Sequence, residues 1–417
     1  MVSALLFAGC GGGAGTTLPA TGTNTSTSSD LHETSDFARG LALGHFAPSC
    51  AQGSGPDGVR CFAYALTPTG RTEARAREVL SGSRTISATA PGGFGPAQLR
   101  AAYGTAAAAS SGGAGRVVAI VDAGDDPNIE NDLNVYRAQF GIAACTTANG
   151  CFRKVDQNGG TSYPATDASW AQETSLDVDM VSANCPNCHI LVVDANTASF
   201  ADLSTAVNTA ARLGAFAISN SYGGGESSSE KSIAPAYSHA GIAITASNGD
   251  SGYGAQSPAA FNTLTAVGGT SLKASTGTRG WTETVWSGTG SGCSAYIAKP
   301  SWQKDTGCTR RTIGDVSYVA DPYTGVAVYD SLPYNGSSGW MVFGGTSVGA
   351  PAIAAIYALA GNSVSNAAYA YSHTSSLNDV TSGSNGSCRS SVAYLCTAKV
   401  GYDGPTGFGT PISTGAF

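Results

Sequence analysis

The sequence has few charged side chains and lacks any run of basic residues. Only 12% of its 417 residues are Asp, Glu, Lys or Arg, and the formal net charge is −7. Because binding to nucleic acid depends on clustered Lys and Arg side chains, this composition excludes nucleic acid as an expected partner. The length is sufficient for one large domain or two moderate ones.

Cysteine occurs an odd number of times, eleven. Cys10 follows a short apolar stretch, and the segment resembles the end of a bacterial lipoprotein export signal with Cys10 as the lipid-anchored residue, although no Lys or Arg precedes it. Five local disulfides are the simplest connectivity for the other ten cysteines, with other connectivities open: Cys50/Cys61, Cys145/Cys151, Cys185/Cys188, Cys293/Cys308 and Cys388/Cys396. Such pairing indicates an oxidising compartment, so we expect an extracellular or cell-envelope protein.

Three regions differ in composition. Residues 1–30 combine the signal-like segment with a stretch rich in Gly, Ser and Thr, which predicts a flexible linker. Residues 31–91 are poorly patterned and are interpreted as a short prosegment-like region with a helix at 71–80. Residues 92–417 have a regular pattern and are expected to form the main domain, a monomer.

The main region alternates apolar strand-like runs with helix-like segments. Strands are predicted at 117–121, 190–193, 217–219, 242–246 and 264–267, and helices at 96–103, 170–184, 201–213 and 233–240. This alternation predicts an α/β fold with a mainly parallel sheet and helices on both faces. Functional sites in such folds gather at the carboxyl ends of the strands, where residues 122, 219–225 and 248–250 fall.

Ser347 has the sequence surroundings of a nucleophile. It follows Gly344-Gly345-Thr346 and precedes a run of small apolar residues, 352–360, that predicts a buried helix ending at Gly361. A serine at a helix start lies beside unpaired N–H groups, which are suitable donors to an oxyanion. The alternative interpretation is an ordinary Ser or Thr helix cap.

Two acidic segments accompany this serine. Glu173 and Asp177 are spaced i,i+4 on a predicted helix, so they share one face, and in a packed setting one of them would have a raised pKa and act as a base. A solvated acidic face is the alternative. Asp250 follows a predicted strand within Asn248-Gly249-Asp250, where it points into a cleft or forms an Asx turn.

Taken together, these motifs resemble the sedolisins, the serine-carboxyl peptidases that share the subtilisin-like fold. The resemblance runs from about residue 92 to the C-terminus and rests on Glu-x-x-x-Asp at 173–177, Ser-x-Gly-Asp-Ser-Gly at 247–252 and Gly-Thr-Ser-x-x-x-Pro at 345–351, with supporting stretches at 265–270, 299–303, 315–317 and 321–325. It implies a serine-type endopeptidase that acts on protein or peptide substrates at acidic pH.

By this resemblance each motif residue has an implied role. Ser347 would be the nucleophile, Glu173 its general base, and Asp177 the group that orients Glu173. Asp250 would donate to the oxyanion, which a carboxyl group can do only when it is protonated. A carboxylate base can still accept a proton at low pH, and an acidic optimum would follow from both facts.

The resemblance also implies a binding cleft and one calcium ion. Ser219, Tyr222 and Gly223 are expected to line the substrate cleft. The calcium ligands would be the side chains of Asp379 and Asp403 and the backbone carbonyls of Val380, Lys399 and Gly401, an oxygen-only set that suits a hard cation.

Two other functions remain open on the sequence. A histidine-dependent subtilase would need one of the five histidines, such as His189 or His239, to reach Ser347, but none lies in a glycine-rich segment that opens a helix. A non-catalytic surface-binding protein on the same fold is the second alternative, which the intact set of Ser347, Glu173, Asp177 and Asp250 disfavours.

Overall fold

The computed structural model describes residues 35–50, 57–81 and 91–417, except for the side chains of residues 79–81. The predicted export signal, Cys10 and the predicted linker all lie outside these residues. Within the described ranges, no helix is both long and apolar enough to cross a membrane.

Ten helices and nineteen strands occur in this part of the chain. The helices are α1 Asp36–Ala42, α2 Pro68–Ser81, α3 Pro96–Ala102, α4 Ala106–Ser111, α5 Ile129–Gln139, α6 Ala168–Asn184, α7 Phe200–Arg212, α8 Glu230–Ile233, α9 Gly349–Ala360 and α10 Ala368–Ser372. The strands are β1 Phe46–Pro48, β2 Arg60–Cys61, β3 Tyr64–Leu66, β4 Val117–Ala123, β5 Phe152–Asp156, β6 His189–Ala195, β7 Ala217–Asn220, β8 Tyr222–Gly225, β9 Ala243–Ser247, β10 Gln256–Ser257, β11 Thr265–Ala274, β12 Trp281–Val285, β13 Gly292–Ala298, β14 Arg310–Ile313, β15 Val316–Val319, β16 Val326–Tyr334, β17 Ser337–Gly344, β18 Leu377–Asn378 and β19 Thr410–Pro411.

The central sheet has eight strands in the order β12-β11-β9-β7-β4-β6-β5, and β15 also pairs with β11. All of its pairs are parallel except the edge pair β11/β12. One apolar cluster packs α6 and α9 on one face, and a second packs α7 on the other. The predicted α/β fold with a mainly parallel sheet and helices on both faces is therefore confirmed.

A capping side chain begins helix α6, and a glycine ends helix α9. The side chain of Asp167 caps α6 by accepting from the backbone N–H groups of Ser169 and Trp170. The helix α9 consists almost entirely of small apolar residues and ends at Gly361, whose φ of 78° lies in the left-handed region that glycine favours. This agrees with the predicted buried helix and its predicted end.

The described part of the N-terminal segment, residues 35–50 and 57–81, pairs with strands of the main domain. Its strands β1 and β3 join β17 and β16 in a four-stranded sheet, and β2 pairs with β8. The five predicted disulfides are all present, and the first, Cys50–Cys61, lies within this segment.

The predicted helix at 233–240 is wrong. The chain forms α8 only to Ile233 and continues as a 3₁₀ turn at Ala234–Tyr237. Pro235 has no N–H to donate to the preceding turn, so the α-helix cannot continue through it. The strands from β12 to β17 were not predicted either, except that β15 overlaps a recognised motif.

Candidate active site

Ser347 lies in the 3₁₀ turn Thr346–Val348, directly before α9. Gly345 introduces this turn with φ 106°, a conformation that residues with a Cβ rarely adopt. The hydroxyl of Ser347 donates to the carbonyl of Ser221 at 3.2 Å and makes no cap bond to the helix. The serine is therefore not an ordinary helix cap, and its hydroxyl is held beside the carboxyl edge of the central sheet.

Glu173 and Asp177 share the buried face of α6, and both side chains are fully inaccessible to solvent. The solvated acidic face is therefore excluded. Burial raises the pKa of Glu173 well above its usual range, the charges of Asp177 and Asp122 raise it further, and the nearby Ser347 hydroxyl lowers it. Burial likewise raises the pKa of Asp177, and Asp122 adds to that shift.

These two carboxyl groups differ in their hydrogen bonds. The hydroxyl of Ser221 lies 2.8 Å from both carboxyl oxygens of Asp177 and donates to them. In contrast, neither carboxyl oxygen of Glu173 has a hydrogen-bond partner among the described residues. Asp177 is thus anchored, whereas Glu173 retains the capacity to accept a proton from Ser347.

Asp122 is a third buried carboxyl group to which the sequence assigned no role. It lies near the end of β4, and burial raises its pKa to about 7. Its charge acts on both Glu173 and Asp177. A lone acid at the carboxyl end of an apolar strand was the available signal, because such strand ends gather at functional sites.

Asp250 approaches Ser347 from the loop after β9. Its Oδ1 accepts from the Thr346 backbone N–H at 2.9 Å and from the Thr346 hydroxyl at 2.7 Å, whereas its Oδ2 has no partner among the described residues. Burial raises the pKa of Asp250 to about 7. Below that pH its carboxyl group can carry a proton, so Oδ2 can donate a hydrogen bond.

The three residues predicted to line the cleft lie in different places. Gly223 lies against Phe62, since a Cβ added there would be 2.7 Å from the Phe62 ring. The Tyr222 side chain is buried, and its hydroxyl contacts Asn220 and Tyr237. Ser219 lies beside Asp177, whose pKa its hydroxyl lowers.

Comparison with known proteins identifies the relatives of this chain. No protein-family model matches it. It is 34% identical over 179 residues to Sedolisin of Pseudomonas sp. (strain 101), and 34% identical over 186 residues to Xanthomonalisin of Xanthomonas sp. (strain T-22). The solved structure of Pseudomonas sedolisin, a serine-carboxyl proteinase complexed with two molecules of pseudo-iodotyrostatin, matches with a TM-score of 0.63 and 26% identity, over 77% of this chain and 96% of that one.

The chain is similar to the sedolisins in sequence, and its subtilisin-like fold matches that of Pseudomonas sedolisin. The matches to the two curated sedolisins each cover 38% of this chain, but only 29% and 21% of those proteins' own lengths. The activity of this sedolisin homologue must therefore be argued from its own site.

The residues predicted to bind calcium include two neighbouring carboxyl groups, Asp379 and Asp403. Asp379 is close enough to Asp403 for its charge to contribute to raising the pKa of Asp403 to about 7, after burial as the main cause. A cation between them would relieve this repulsion. The described residues contain no group of three or more acidic, His or Cys side chains that could hold a metal ion, so backbone carbonyls would have to complete the set. The Lys399 ammonium lies over the ring of Tyr394 at 5.7 Å. Asp403 Oδ2 accepts from the Lys399 N–H at 3.1 Å and Asp379 Oδ2 from the Gly401 N–H at 2.8 Å, and carboxylate and carbonyl oxygens are the donor type that a hard cation takes.

The described histidines lie away from Ser347. His189 begins β6 and His239 precedes β9, which places both at the amino end of parallel strands, opposite the edge that carries the candidate site. His45 contacts Tyr323, and His373 contacts Tyr369. None of these four forms a hydrogen bond with Ser347, so the structure gives no support to a histidine-dependent site in this part of the chain.

Proposed function

We propose that this chain is a serine-type endopeptidase that hydrolyses peptide bonds at acidic pH. The observation that carries the proposal is that two buried carboxyl groups converge on one serine at a helix start. Glu173 of α6 has no hydrogen-bond partner among the described residues, and Asp250, from the loop after β9, keeps its Oδ2 without one. Ser347 acts as the nucleophile, Glu173 as its general base, Asp177 as the orienting acid and Asp250 as an oxyanion donor. The relatedness to a serine-carboxyl proteinase supports this assignment.

The proposed reaction follows from the hydrogen-bond donors and acceptors that these groups leave free. Glu173 accepts the hydroxyl proton as Ser347 Oγ attacks the carbonyl carbon of the substrate. The oxyanion receives hydrogen bonds from the Ser347 N–H and from the protonated Oδ2 of Asp250. Glu173 then protonates the departing amine, and a water molecule hydrolyses the acyl-enzyme by the same steps.

The acidic optimum follows from opposed proton requirements. Glu173 must be ionised, whereas Asp250 must be protonated. Because Glu173, Asp177 and Asp122 are buried together, they cannot all be ionised, and their titration belongs to the set. Asp250 loses its proton at about pH 7, which places the alkaline limit of activity near neutrality or below.

We also propose that the protein is exported and that it binds one structural calcium ion. Five disulfides indicate an oxidising compartment. Cys10 would carry a lipid anchor, and its neighbours would serve as the export signal. Asp379 and Asp403, with the carbonyls of Val380, Lys399 and Gly401, would hold one calcium ion, which stabilises the native state by binding it selectively.

A digestion experiment tests the proposed activity. A denatured protein is incubated at pH 3 to 9 with the wild type, Ser347→Ala and Glu173→Gln, and the cut sites are mapped by mass spectrometry. The wild type should cleave internal bonds at acidic pH, whereas both variants should be inactive. Ser204→Ala, which removes a buried hydroxyl on α7, is the matched control and should retain activity.

Two results would contradict the proposal. Cleavage by Ser347→Ala at the wild-type rate would show that this serine is not the nucleophile. A folded wild type that cleaves nothing at any pH would leave the non-catalytic binding function as the better explanation.

A further inference from the structure

A surface pocket with aromatic walls is separate from the candidate active site. Its volume is about 390 Å³, within the range of about 300–1,000 Å³ that is typical of ligand pockets. None of the residues assigned to catalysis or to the substrate cleft lines it. Aromatic residues are 8% of the chain but five of the nine residues in this lining, and each of the five is half-buried: Trp302, Tyr371, Tyr394, Tyr402 and Phe408.

The rings support one another and turn their polar ends into the protein. Tyr371 meets Trp302 edge to face, with the ring centroids 4.6 Å apart. The hydroxyl of Tyr371 donates to Asp315 Oδ1 at 3.0 Å, and that of Tyr394 donates to Asp305 Oδ2 at 2.6 Å. Because these hydroxyls are bonded within the protein, the ring surface that remains in the pocket is apolar and can pack against a flat apolar ligand.

Two disulfides hold the walls of the pocket. Trp302 lies in the loop between β13 and β14, which the Cys293–Cys308 disulfide closes. Tyr394 lies in the short loop that the Cys388–Cys396 disulfide closes. Walls that are fixed before a ligand arrives lose little conformational freedom on binding, so the pocket is pre-organised.

Two lysines at the pocket favour an anionic ligand. Lys304 and Lys399 are both in the lining and exposed, and neither ammonium forms an ion pair within the described ranges. The Lys399 ammonium lies 5.7 Å from the centroid of the Tyr394 ring, at the pocket wall. Only the backbone carbonyl of Lys399 is assigned to calcium, so its side chain is not needed there. Ring faces alone would attract a cation, but two ammonium groups repel one.

The acidic member of the lining, Asp305, is already neutralised. It pairs with Lys299 at 3.0 Å, and its Oδ2 accepts from the hydroxyls of Thr312 at 2.8 Å and of Tyr394 at 2.6 Å. Its side chain is only 4% exposed. Residues 299–311 contain four Lys or Arg residues and one Asp, in a chain whose acidic residues outnumber the basic ones by 28 to 21. This segment is therefore locally positive, and it attracts anions.

We propose that this pocket binds a small anion with a flat apolar body, of the class of the aromatic carboxylates. The ring surfaces take the apolar body, and Lys304 and Lys399 take the carboxylate at the rim. The inference goes beyond the proposed peptidase activity and does not depend on it. Two sources present this pair of groups: a free aromatic acid, and the last residue of a peptide that ends in an aromatic side chain.

Three indoles of nearly the same shape separate the effect of the ring from that of the charge. Indole-3-acetate is an anion, indole-3-acetamide is neutral, and tryptamine is a cation at pH 7. Their binding to the full chain carrying Ser347→Ala, which the proposed activity cannot digest, is measured by equilibrium dialysis. Indole-3-acetate should bind one molecule per chain with a Kd of about a millimolar or below. The acetamide should bind several-fold more weakly, and tryptamine most weakly of the three.

Variants locate this binding in the pocket. Lys304→Gln removes one exposed charge, so it should fold normally and weaken indole-3-acetate by about two- to fivefold without changing the acetamide. Trp302→Ala removes part of the wall and should weaken both ligands by roughly three- to tenfold. Lys304→Gln carries the test if Trp302→Ala does not fold. Lys231→Gln, at an exposed lysine on α8, is the matched control and should change neither affinity.

A peptide that ends in tryptophan distinguishes the two sources. The tripeptide Gly-Gly-Trp is compared with its C-terminal amide under the same conditions. Tighter binding of the tripeptide than of indole-3-acetate, lost on amidation, assigns the pocket to peptide ends. Tighter binding of indole-3-acetate assigns it to free aromatic acids. Either result supports the inference.

Other results overturn the inference. Equal affinities of the three indoles would show that charge has no part in binding, and tightest binding of tryptamine would show a cation site. A loss in Lys231→Gln as large as that in Lys304→Gln would place the binding elsewhere. The proposal also fails if indole-3-acetate does not bind at about 10 mM, where even weak ligands occupy their sites. Attachment of the same protein to phosphatidylglycerol vesicles, reduced by Lys304→Gln, would then identify the surface as a membrane contact instead.

Discussion

Replacing Asp250 is the sharpest test of the proposed chemistry, because this residue distinguishes an acid-acting site from an ordinary serine peptidase. Its Oδ1 is fixed by two hydrogen bonds from Thr346, of 2.9 and 2.7 Å. Asp250→Asn can keep both bonds with its amide oxygen and present its NH₂ group where Oδ2 now lies. Asp250→Ala removes the donor and leaves the Thr346 N–H and hydroxyl without an acceptor.

The expected magnitudes follow from this geometry. Loss of one oxyanion donor typically lowers kcat by about a hundred- to a thousandfold, or roughly 2.7–4 kcal/mol of transition-state stabilisation. We expect Asp250→Ala to show a loss of that size and Asp250→Asn a much smaller one. Because an amide donates at any pH, Asp250→Asn should also lose the alkaline decline that the wild type shows as Asp250 ionises at or below about pH 7.

The assay is kcat/KM against pH on one peptide substrate. Intact mass must show that all the proteins have the same N-terminus, and circular dichroism that each is folded across the range. Asp330→Asn is the matched control, since Asp330 is buried on β16 with a pKa of about 7 but lies outside the site. Near-normal activity of Asp250→Ala, or an unchanged alkaline limb in Asp250→Asn, would refute the assigned role.

Four further predictions concern the base, the fold, the cation and the anchor. Glu173→Gln should lower kcat by roughly a hundred- to ten-thousandfold, because it removes the general base. The melting temperature should not fall, because the replaced side chain is a buried acid without a hydrogen-bond partner among the described residues. A normal kcat would exclude Glu173 as the base. Burial raises the pKa of Asp122 to about 7 and of Asp194 to about 8, so the folded state keeps protons that the unfolded chain releases above about pH 4. The contribution of these two groups to the free energy of unfolding is therefore complete at low pH and is lost as pH rises to about 7–8. The inactive variant Ser347→Ala should melt at a higher temperature at pH 4 than at pH 8. A higher melting temperature at pH 8 would contradict this prediction. Chelation with EDTA should lower the melting temperature, and Asp403→Ala should abolish that response; a melting temperature indifferent to EDTA would argue against the calcium site. Cys10→Ser should move the protein from the membrane to the soluble fraction of the native host with its peptidase activity intact, and a wild type that is already soluble there would exclude the anchor.

Much of the fold was predictable because the relevant signals are local. Apolar runs such as that of β4, and the small-residue run of α9 with its terminal glycine, specify their own conformation before any tertiary contact forms. The cysteine pairs are close in sequence, so proximity alone favours the connectivity observed. The strands from β12 to β17 were missed because their partners are distant in sequence and β-propensity depends on the surroundings.

The candidate site was predictable only in its parts. The spacing of Glu173 and Asp177 places both on one face of a helix, whatever the rest of the chain does. The spacing does not say whether that face is solvated or buried. Only a buried face would raise the pKa values of the two carboxyl groups. Tertiary packing of α6, against α9, β16, β4 and other neighbours, excludes water from them.

The sequence by itself determined the catalytic motifs, the alternating strands and helices, and the paired cysteines, because each is a local pattern with a local physical cause. The tertiary structure alone decided that Asp122 lies beside Glu173, and that the Phe62 carbonyl rests on the Ser347 amide. Contacts between residues far apart in the sequence depend on how the whole chain packs, and no periodicity or spacing records them. The N-terminal segment that the sequence left poorly patterned is, for this reason, the part whose strand pairing only the fold revealed.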